Sequence, residues 1–362
     1  MILATISIQS LTNTGLFAKA QEARDKTKNA AENQAKTLNE YEDELNKYIS
    51  GNIEEKKDPI KEVSNKVLST TDNTELQDAY GNKIVVPAGF KIVSNDDTSN
   101  ATTVDKGIVI EDATSAATAG SQFVWVPVGK IYTDAARTEA NAKTITLGRY
   151  SFDSNGIASA YSGSYAEEDK GDTATTLKNY GNTIAKNITN FKNSVASNGG
   201  YYIGRYEART TVKRTAAVNT LTQITEKGTD QVYNYVTQLQ AASQAQNMYN
   251  STKFTSDLMN SYAWDTATLF LQTCGTNATY SIKTSVNSLL SQTGTTDDKQ
   301  CNVYDMASNV REWTTETSND SNFPCVVISG NCSDSTLCTS DRRSTDKSVS
   351  YADIGFRPLL YL

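Results

Sequence analysis

Five cysteines are the side chains of this sequence best suited to chemistry. They lie at positions Cys274, Cys301, Cys325, Cys332 and Cys338, and histidine is absent from all 362 residues. The absence of imidazole excludes Ser-His-Asp and Cys-His catalysis and every metal site that uses histidine. The spacing of the last three cysteines, C-x6-C-x5-C, fits no common zinc pattern. A disulfide is possible if the chain is exported, but five is an odd number and leaves one thiol over, and the connectivity cannot be read from the sequence.

Composition and charge limit the class of protein. The formal net charge is −7 and no basic patch stands out in the sequence, so nucleic acid is not an expected partner. The hydrophobic fraction is 38%, which is low, and tyrosine (19) far outnumbers phenylalanine (9). Tyrosine tolerates half-exposed positions, so this composition favours a loop-rich domain with much surface.

Two apolar stretches near the C-terminus must position the last three cysteines. The first contains Val303, Tyr304 and Met306 before a tight turn, and the second is the strongly apolar end at 354–362. An apolar chain end is usually buried as a strand, because an exposed edge of that kind would aggregate. About thirty residues with almost no periodicity separate the two stretches, an arrangement typical of a loop that carries function on a rigid scaffold.

These two stretches resemble a known family. Residues 302–313 (NVYDMASNVREW) resemble the Y-D-M-A-G-N-V-W-E-W signature of formylglycine-generating-enzyme-like domains, and 354–357 (IGFR) resembles their closing G-F-R strand. Further similarity lies at 123–128 (FVWVPV) and 202–207 (YIGRYE), so the resemblance covers roughly residues 80–362. It implies an α+β, C-type-lectin-like fold.

The family resemblance also implies two kinds of site. The family's enzymes hold a reactive cysteine pair in this region, but with C-x4-C spacing and after an arginine-containing strand, both of which differ here. We therefore expect a relative of an enzyme that is not itself an enzyme. Family members can also bind calcium at the signature, which implies Asn309 and Glu312 as calcium ligands, because oxygen ligands suit calcium. A structural ion pair of Glu312 is the alternative.

The polar run 318–346 has a restricted composition. It contains no Lys, Gln, Glu, Met or Trp, although all five occur elsewhere in the chain. Mutation of adenines in AAY asparagine codons produces the amino acids that are present. The run thereby resembles the variable region of proteins diversified by diversity-generating retroelements, many of which carry this fold. Its side chains would support no core and would bind a ligand as antibody loops do. The predicted ligand-binding residues are Asn319, Asp320, Asn322, Phe323, Ser329, Asn331, Ser333, Asp334, Ser335, Thr336, Thr339 and Asp341.

The N-terminal part of the chain predicts a long amphipathic helix over residues 1–52. Leu38, Tyr41 and Leu45 follow a heptad-like spacing in a stretch rich in Ala, Glu, Lys and Gln. Residues 2–8 resemble the distal part of a type IV pilin-like helix, although this stretch is too short for the roughly 20 residues that span a bilayer. This resemblance implies a pilus or membrane-associated partner. A helix packed on its own domain or a coiled coil is the alternative.

Local patterns predict the remaining organisation. Residues 53–80 are predicted as a linker and 81–362 as the C-type-lectin-fold domain, with strands near 84–93, 107–110, 123–128 and 199–207, the last with a bulge at Gly204. Residues 131–198 are predicted as surface insertions, and 230–247 and 258–271 as helices. Within the second helix, Asp265 is predicted to serve as a cap or structural hydrogen-bond acceptor, and a catalytic carboxylate is the alternative.

Three functional hypotheses follow from these observations. The first is a protein at the cell surface or outside the cell that binds a protein or glycan ligand, or serves in adhesion, through a diversified C-terminal loop. The second is a formylglycine-generating-type oxidase that uses Cys332 and Cys338. The third is a structural pilus subunit without a specific ligand.

Overall fold

The computed structural model describes residues 16–49, 58–114, 117–167, 188–218, 221–285 and 289–362, and it divides into two units after residue 57. The described residues of the first unit form a long helix, α1 (Leu16–Ile49), which confirms the predicted N-terminal helix over this range. The side chains of Leu38, Tyr41 and Leu45 are exposed along it. Residues 1–15, which include the pilin-like segment, lie outside the described residues. Within the described part of the chain, no helix has both the length and the apolar content to cross a membrane.

The second unit is an α+β body rich in strands. Its helices are α2 (Pro59–Val63), α3 (Ile188–Asn198), α4 (Gln238–Gln246) and α5 (Ser261–Cys274). Its strands are β1 (Thr74–Gln77), β2 (Lys83–Val86), β3 (Phe90–Val93), β4 (Val109–Asp112), β5 (Gln122–Pro127), β6 (Gly129–Tyr132), β7 (Ala142–Ile145), β8 (Tyr150–Phe152), β9 (Ala158–Ala160), β10 (Gly200–Gly204), β11 (Arg209–Thr210), β12 (Gln231–Val232), β13 (Thr255–Leu258), β14 (Lys299–Gln300), β15 (Val303–Tyr304), β16 (Arg311–Thr317), β17 (Cys325–Ile328), β18 (Arg342–Thr345), β19 (Ile354–Phe356) and β20 (Pro358–Tyr361).

The body begins at Asp58. The predicted linker over 53–80 is therefore wrong for its described residues, 58–80, which belong to the body. Asp58 caps α2 by accepting hydrogen bonds from the backbone of Ile60 and Lys61, and Ile60 is fully buried in the core. Strand β1 then pairs with β2 in an antiparallel ladder. Short polar elements of this kind have little periodicity, so their burial depends on contacts that the local sequence does not specify.

A six-stranded antiparallel sheet with the order β13-β20-β10-β5-β4-β3 forms the centre of the body. Strand β20 contains the last apolar residues and lies between β13 and β10. The prediction that the C-terminal end is buried as a strand is therefore confirmed.

Both faces of this sheet are covered. Alternate residues of β5 belong to different clusters, with Phe123 and Trp125 in one core and Val124 and Val126 in the other. Because successive side chains of a strand point to opposite faces, this division places one core on each side. Helix α4 contributes alanines to the first core, whereas α3 and α5 contribute Phe191 and other large residues to the second. The burial of α3 corrects the prediction of a surface insertion up to residue 198.

A second sheet, with the order β18-β17-β16-β19, carries the polar run. Strands β16 and β19 are parallel, and the other neighbours are antiparallel. All four residues of β17 are buried and contribute to both cores. The prediction that the side chains of 318–346 support no core is therefore wrong for the centre of the run. The apolar sequence Cys-Val-Val-Ile at 325–328 indicates a buried strand, which the composition of the whole run does not reveal.

Two further predicted elements differ in extent. The helix predicted over 230–247 begins only at α4, because Thr237 and Gln240 form a reciprocal capping box and the residues before them form β12. Gly204 lies in a regular ladder opposite Phe123 and not at a bulge. A Cβ atom there would lie 2.6 Å from Oε2 of Glu226 and 2.9 Å from the carbonyl oxygen of Tyr206, so close packing requires the glycine.

Candidate functional site

Most exposed residues of the polar run lie in two loops at opposite ends of the second sheet. The first loop, residues 318–324, joins β16 to β17, and the second loop, residues 329–341, joins β17 to β18. Because each antiparallel connection reverses the chain, the two loops leave opposite ends of β17. The four residues of β17 separate the nearest ends of the loops, residues 324 and 329, by roughly 16 Å. The structure therefore divides the predicted recognition site into two surfaces.

The first loop is closed by its own backbone. The amide of Ser318 donates to the carbonyl of Pro324 (2.9 Å), and the amide of Phe323 donates to that of Asp320 (3.2 Å). The side chain of Asp320 accepts a hydrogen bond from the amide of Asn322 at 2.8 Å. Asn319, Asp320, Asn322 and Phe323 are all exposed, and 48% of the surface of Phe323 is accessible.

The second loop is held by residues outside the run. The amide of Cys332 donates to the carbonyl of Asn309 (2.9 Å), and the side chain of Asn331 donates to Oδ2 of Asp353 (2.6 Å). The side chain of Asp334 accepts hydrogen bonds from Thr336, which lowers the pKa of Asp334. Ser333, Ser335 and Thr336 are exposed, whereas Asp334 and Asp341 are half-buried.

Three of the predicted ligand-binding residues, Ser329, Asn331 and Thr339, are buried. Ser329 donates to the carbonyl of Met306 at 2.6 Å, and Thr339 donates to the carbonyl of Tyr280 at 2.8 Å. A buried hydroxyl bonded in this way satisfies a backbone acceptor and cannot also contact a ligand at the surface. These three positions are corrections to the prediction, because composition does not distinguish a polar side chain that faces solvent from one that bonds inward.

Arg342, inside the predicted variable run, belongs to a buried charge cluster. The Arg342 cluster consists of Arg149, Asp265, Glu316 and Arg342. Nη2 of Arg342 donates to Asp265 at 2.6 Å, and Nε donates to Glu316 at 2.8 Å. Arg149 forms an ion pair with Glu316 as well. Burial raises the pKa of Glu316 to about 7, and the two arginines oppose that shift. Asp265 also accepts the amide of Tyr150, so its predicted structural role is confirmed.

One charged side chain that the sequence did not assign to the site, Arg311, lies beside the second loop. Arg311 begins β16, and its Nη2 lies 4.0 Å from Oδ2 of Asp334. Burial, followed by the nearby charge of Arg343, lowers the pKa of Arg311. Tyr351 is 59% exposed in the segment before β19. The departure of Arg311 from the signature, where tryptophan is usual, is the signal that could have identified this contact.

The proposed calcium ligands are already bonded to protein groups. Both oxygens of Glu312 accept from Arg357, at 2.7 and 3.2 Å, and both residues are fully buried. The amide nitrogen of Asn309 donates to Glu207 at 2.7 Å, and its oxygen accepts the amide of Ser291. An arginine directly on the carboxylate does not fit a calcium site made of oxygen ligands. The structural alternative, an ion pair of Glu312, is the one observed.

The surroundings of the Cys332 and Cys338 thiols do not favour the thiolate form. Burial raises the pKa of both thiols, and Cys338 lies 3.6 Å from the hydroxyl of Ser340. Reactive cysteines need the opposite shift, which a neighbouring cation or helix N-terminus supplies. The charged groups that act on these thiols are carboxylates, Asp353 and Glu207 on Cys332 and Asp341 on Cys338, and they raise the pKa of each thiol further.

No family model and no curated protein match the chain. Solved structures with a partial likeness include Treponema denticola variable protein 1, which is 11% identical with a TM-score of 0.36 over 67% of this chain and 96% of that chain. PvdO from Pseudomonas aeruginosa is 11% identical with a TM-score of 0.33 over 67% of this chain and 95% of that chain. CarF is 17% identical with a TM-score of 0.24 over 35% and 58%. At these values the comparisons assign neither a family nor an activity.

Proposed function

We propose that this chain is a ligand-binding protein with a C-type-lectin-like body, and that the exposed residues of its two C-terminal loops are a diversified recognition surface. The ligand is a protein or a glycan. We further propose that the protein is displayed at the cell surface and that the N-terminal helix joins it to a pilus or membrane-associated partner. The resemblances in the sequence support display and diversification, and the geometry of the loops supports binding.

The main observation behind the proposal is that the run 318–346 contains both exposed residues and buried residues that belong to the scaffold. The side chains of Asn319, Asn322 and Ser335 are exposed, and within the described residues they make no hydrogen bond to the rest of the body. Substitution there leaves no buried group without a partner, so its cost in folding free energy is within about 0.5 kcal/mol. The composition of the same run matches what adenine mutagenesis produces.

The scaffold keeps its shape whatever these exposed residues are. Backbone hydrogen bonds close the first loop, and the amide of Ser329 donates to the carbonyl of Asp341 (3.0 Å) across the base of the second. Exposed serine, asparagine and threonine side chains supply adaptable hydrogen bonds, while Phe323 supplies an apolar anchor. A surface of this kind can change its ligand without refolding.

Sequencing the locus from many cells of one population tests the proposal by position. Substitutions are expected at the exposed residues Asn319, Asn322, Ser333, Ser335 and Thr336. The buried Ser329, Asn331, Thr339 and Arg342 are expected to be constant, as are 304–313 and 355–357. A uniform run, or substitutions spread equally over buried and exposed positions, would contradict diversification of a binding surface.

A display library tests binding itself. Randomising the exposed positions of both loops is expected to leave most variants folded and to yield binders against a panel of purified proteins and glycans. The matched control library randomises Ser329, Asn331 and Thr339, and most of its members are expected to fail to fold. If the first library folds well and yields no binder to any member of the panel, the recognition role is refuted.

A further inference from the structure

A cationic pocket lies outside the polar run, in the segment that follows β10. It has a volume of 680 Å³ and is lined by residues of 209–218, 222–227 and 117–119. This volume falls within the range of small-ligand pockets, which is roughly 300–1,000 Å³. Neither the sequence motifs nor the proposed function accounts for this pocket.

The charge of the pocket is its distinguishing feature. Four cations line it, Arg209, Lys213, Arg214 and Lys227, and its described lining contains no carboxylate. The chain as a whole has a net charge of −7, so a local surplus of positive charge runs against its composition. Cations gathered around a concave surface raise the local concentration of anions.

The two arginines are fixed by the body. Nε of Arg209 donates to Oγ1 of Thr225 at 2.7 Å, and its guanidinium pairs with Asp230, which is not part of the lining. Nε of Arg214 donates to the carbonyl of Asn234 at 2.7 Å, and its guanidinium lies 4.7 Å from the ring centre of Tyr233. Carbonyl and ring partners carry no formal negative charge, so the charge of Arg214 is not neutralised.

The two lysines are available to a ligand. Lys213 is exposed and Lys227 is half-buried, and no ion pair of either side chain occurs among the described residues. Lys227 extends over the backbone of Gly120, where a Cβ atom would lie 2.9 Å from its Nζ. The φ of Gly120 is +80°, a conformation that favours glycine. The missing Cβ at Gly120 leaves the space that the side chain of Lys227 occupies.

The remaining lining selects among anions. Threonine hydroxyls are frequent in it, at Thr210, Thr211, Thr215, Thr222 and Thr225. A hydroxyl both donates and accepts hydrogen bonds, which matches the hydroxyls of a sugar, whereas a bare inorganic anion requires donors only. We propose that this pocket binds an acidic saccharide, with Lys213 and Lys227 contacting its carboxylate and the threonines contacting its hydroxyls.

This inference does not rest on the diversified loops. No lining residue belongs to 318–346. The ligand specificity of the pocket would therefore stay constant while that of the two loops changes. Failure of either proposal would leave the other standing.

Calorimetric titration of the full chain at an ionic strength of about 0.01 M, where charges are screened least, tests the pocket. The probes are a disaccharide that contains glucuronate, its neutral glucose counterpart, inorganic sulfate and a short glutamate peptide. The acidic disaccharide is expected to bind at least about tenfold more tightly than each of the others, a difference of about 1.4 kcal/mol. Equal or tighter binding of sulfate or of the peptide, or no binding of the disaccharide, would overturn the assignment.

A variant pair locates the site. The double substitution Lys213→Ala/Lys227→Ala is expected to weaken disaccharide binding about tenfold, since it removes both charges that contact the carboxylate. The control Lys130→Ala/Lys253→Ala removes the same charge from exposed lysines that pair with Glu139 and Asp72 elsewhere, and it is expected to leave binding unchanged. Equal effects of the two double variants would show nonspecific attraction and refute the pocket.

Discussion

The substitution Arg342→Ala tests whether the polar run is part of the scaffold. Only 6% of the side chain of Arg342 is exposed, and its partners Asp265 and Glu316 are fully buried. Removal of one member of a buried ion pair leaves its partners uncompensated and typically costs about 3–5 kcal/mol. We expect the unfolding free energy to fall by about that amount. Arg149 would remain beside Glu316 and would limit the loss.

The neighbouring residue provides the control. Arg343 follows Arg342 in the same strand but is exposed, so Arg343→Ala is expected to change the unfolding free energy by no more than about 0.5 kcal/mol. Urea unfolding followed by tryptophan fluorescence suits the comparison, because all three tryptophans, Trp125, Trp264 and Trp313, are buried in the body.

The pH dependence of the Arg342 cluster gives a second readout. The pKa of Glu316 is raised from 4.5 to about 7, so the folded state binds more protons than the unfolded state between these values. Stability from this group is therefore present at low pH and is lost as pH rises toward 7. Without Arg342 the pKa of Glu316 would rise further, so Arg342→Ala should cost more at pH 8.5 than at pH 5.5. Equal costs of the two arginine variants, or a cost of Arg342→Ala below about 1 kcal/mol at pH 8.5, would refute the reasoning.

Three further predictions follow from single positions. Gly204→Ala is expected to destabilise the body by about 1–3 kcal/mol in urea unfolding, because its Cβ would overlap the carboxylate of Glu226; a change below 0.5 kcal/mol would contradict that close packing. Asp305 has a pKa raised from 3.8 to about 6 by burial, so the stability of the wild type relative to Asp305→Asn should fall by up to about 3 kcal/mol from pH 4 to pH 7, and a flat difference would refute the shift. Phe323→Ala is expected to leave the melting temperature unchanged and to weaken binders selected on the first loop; a loss of stability would place Phe323 in the scaffold instead.

Part of the fold was predictable because its signals are local. The heptad-like spacing of Leu38, Tyr41 and Leu45 predicts a helix whose turns satisfy their own hydrogen bonds, and α1 is observed over 16–49. The apolar run that ends the chain predicts a buried strand, and β20 lies inside the six-stranded sheet. Neither prediction required knowledge of a distant partner.

The site was predictable only in part, because its polar residues depend on distant partners. Composition selected the run 318–346, yet it treated Ser329 and Ser335 alike. The first bonds to the carbonyl of Met306 in the interior, and the second is exposed. Likewise, the sequence alone allows Glu312 to be a calcium ligand. Only its contact with Arg357, forty-five positions away, shows that Glu312 forms an ion pair instead.

The sequence by itself determined that histidine chemistry is absent, that a long polar helix precedes a strand-rich body, and that one C-terminal run has a restricted repertoire. Only the tertiary structure decided which residues of that run face solvent. It placed the two loops on opposite ends of β17 and enclosed Arg342 between two carboxylates. The physical reason is that residue type and spacing report local preferences, whereas burial and charge pairing arise when segments far apart in the chain come into contact.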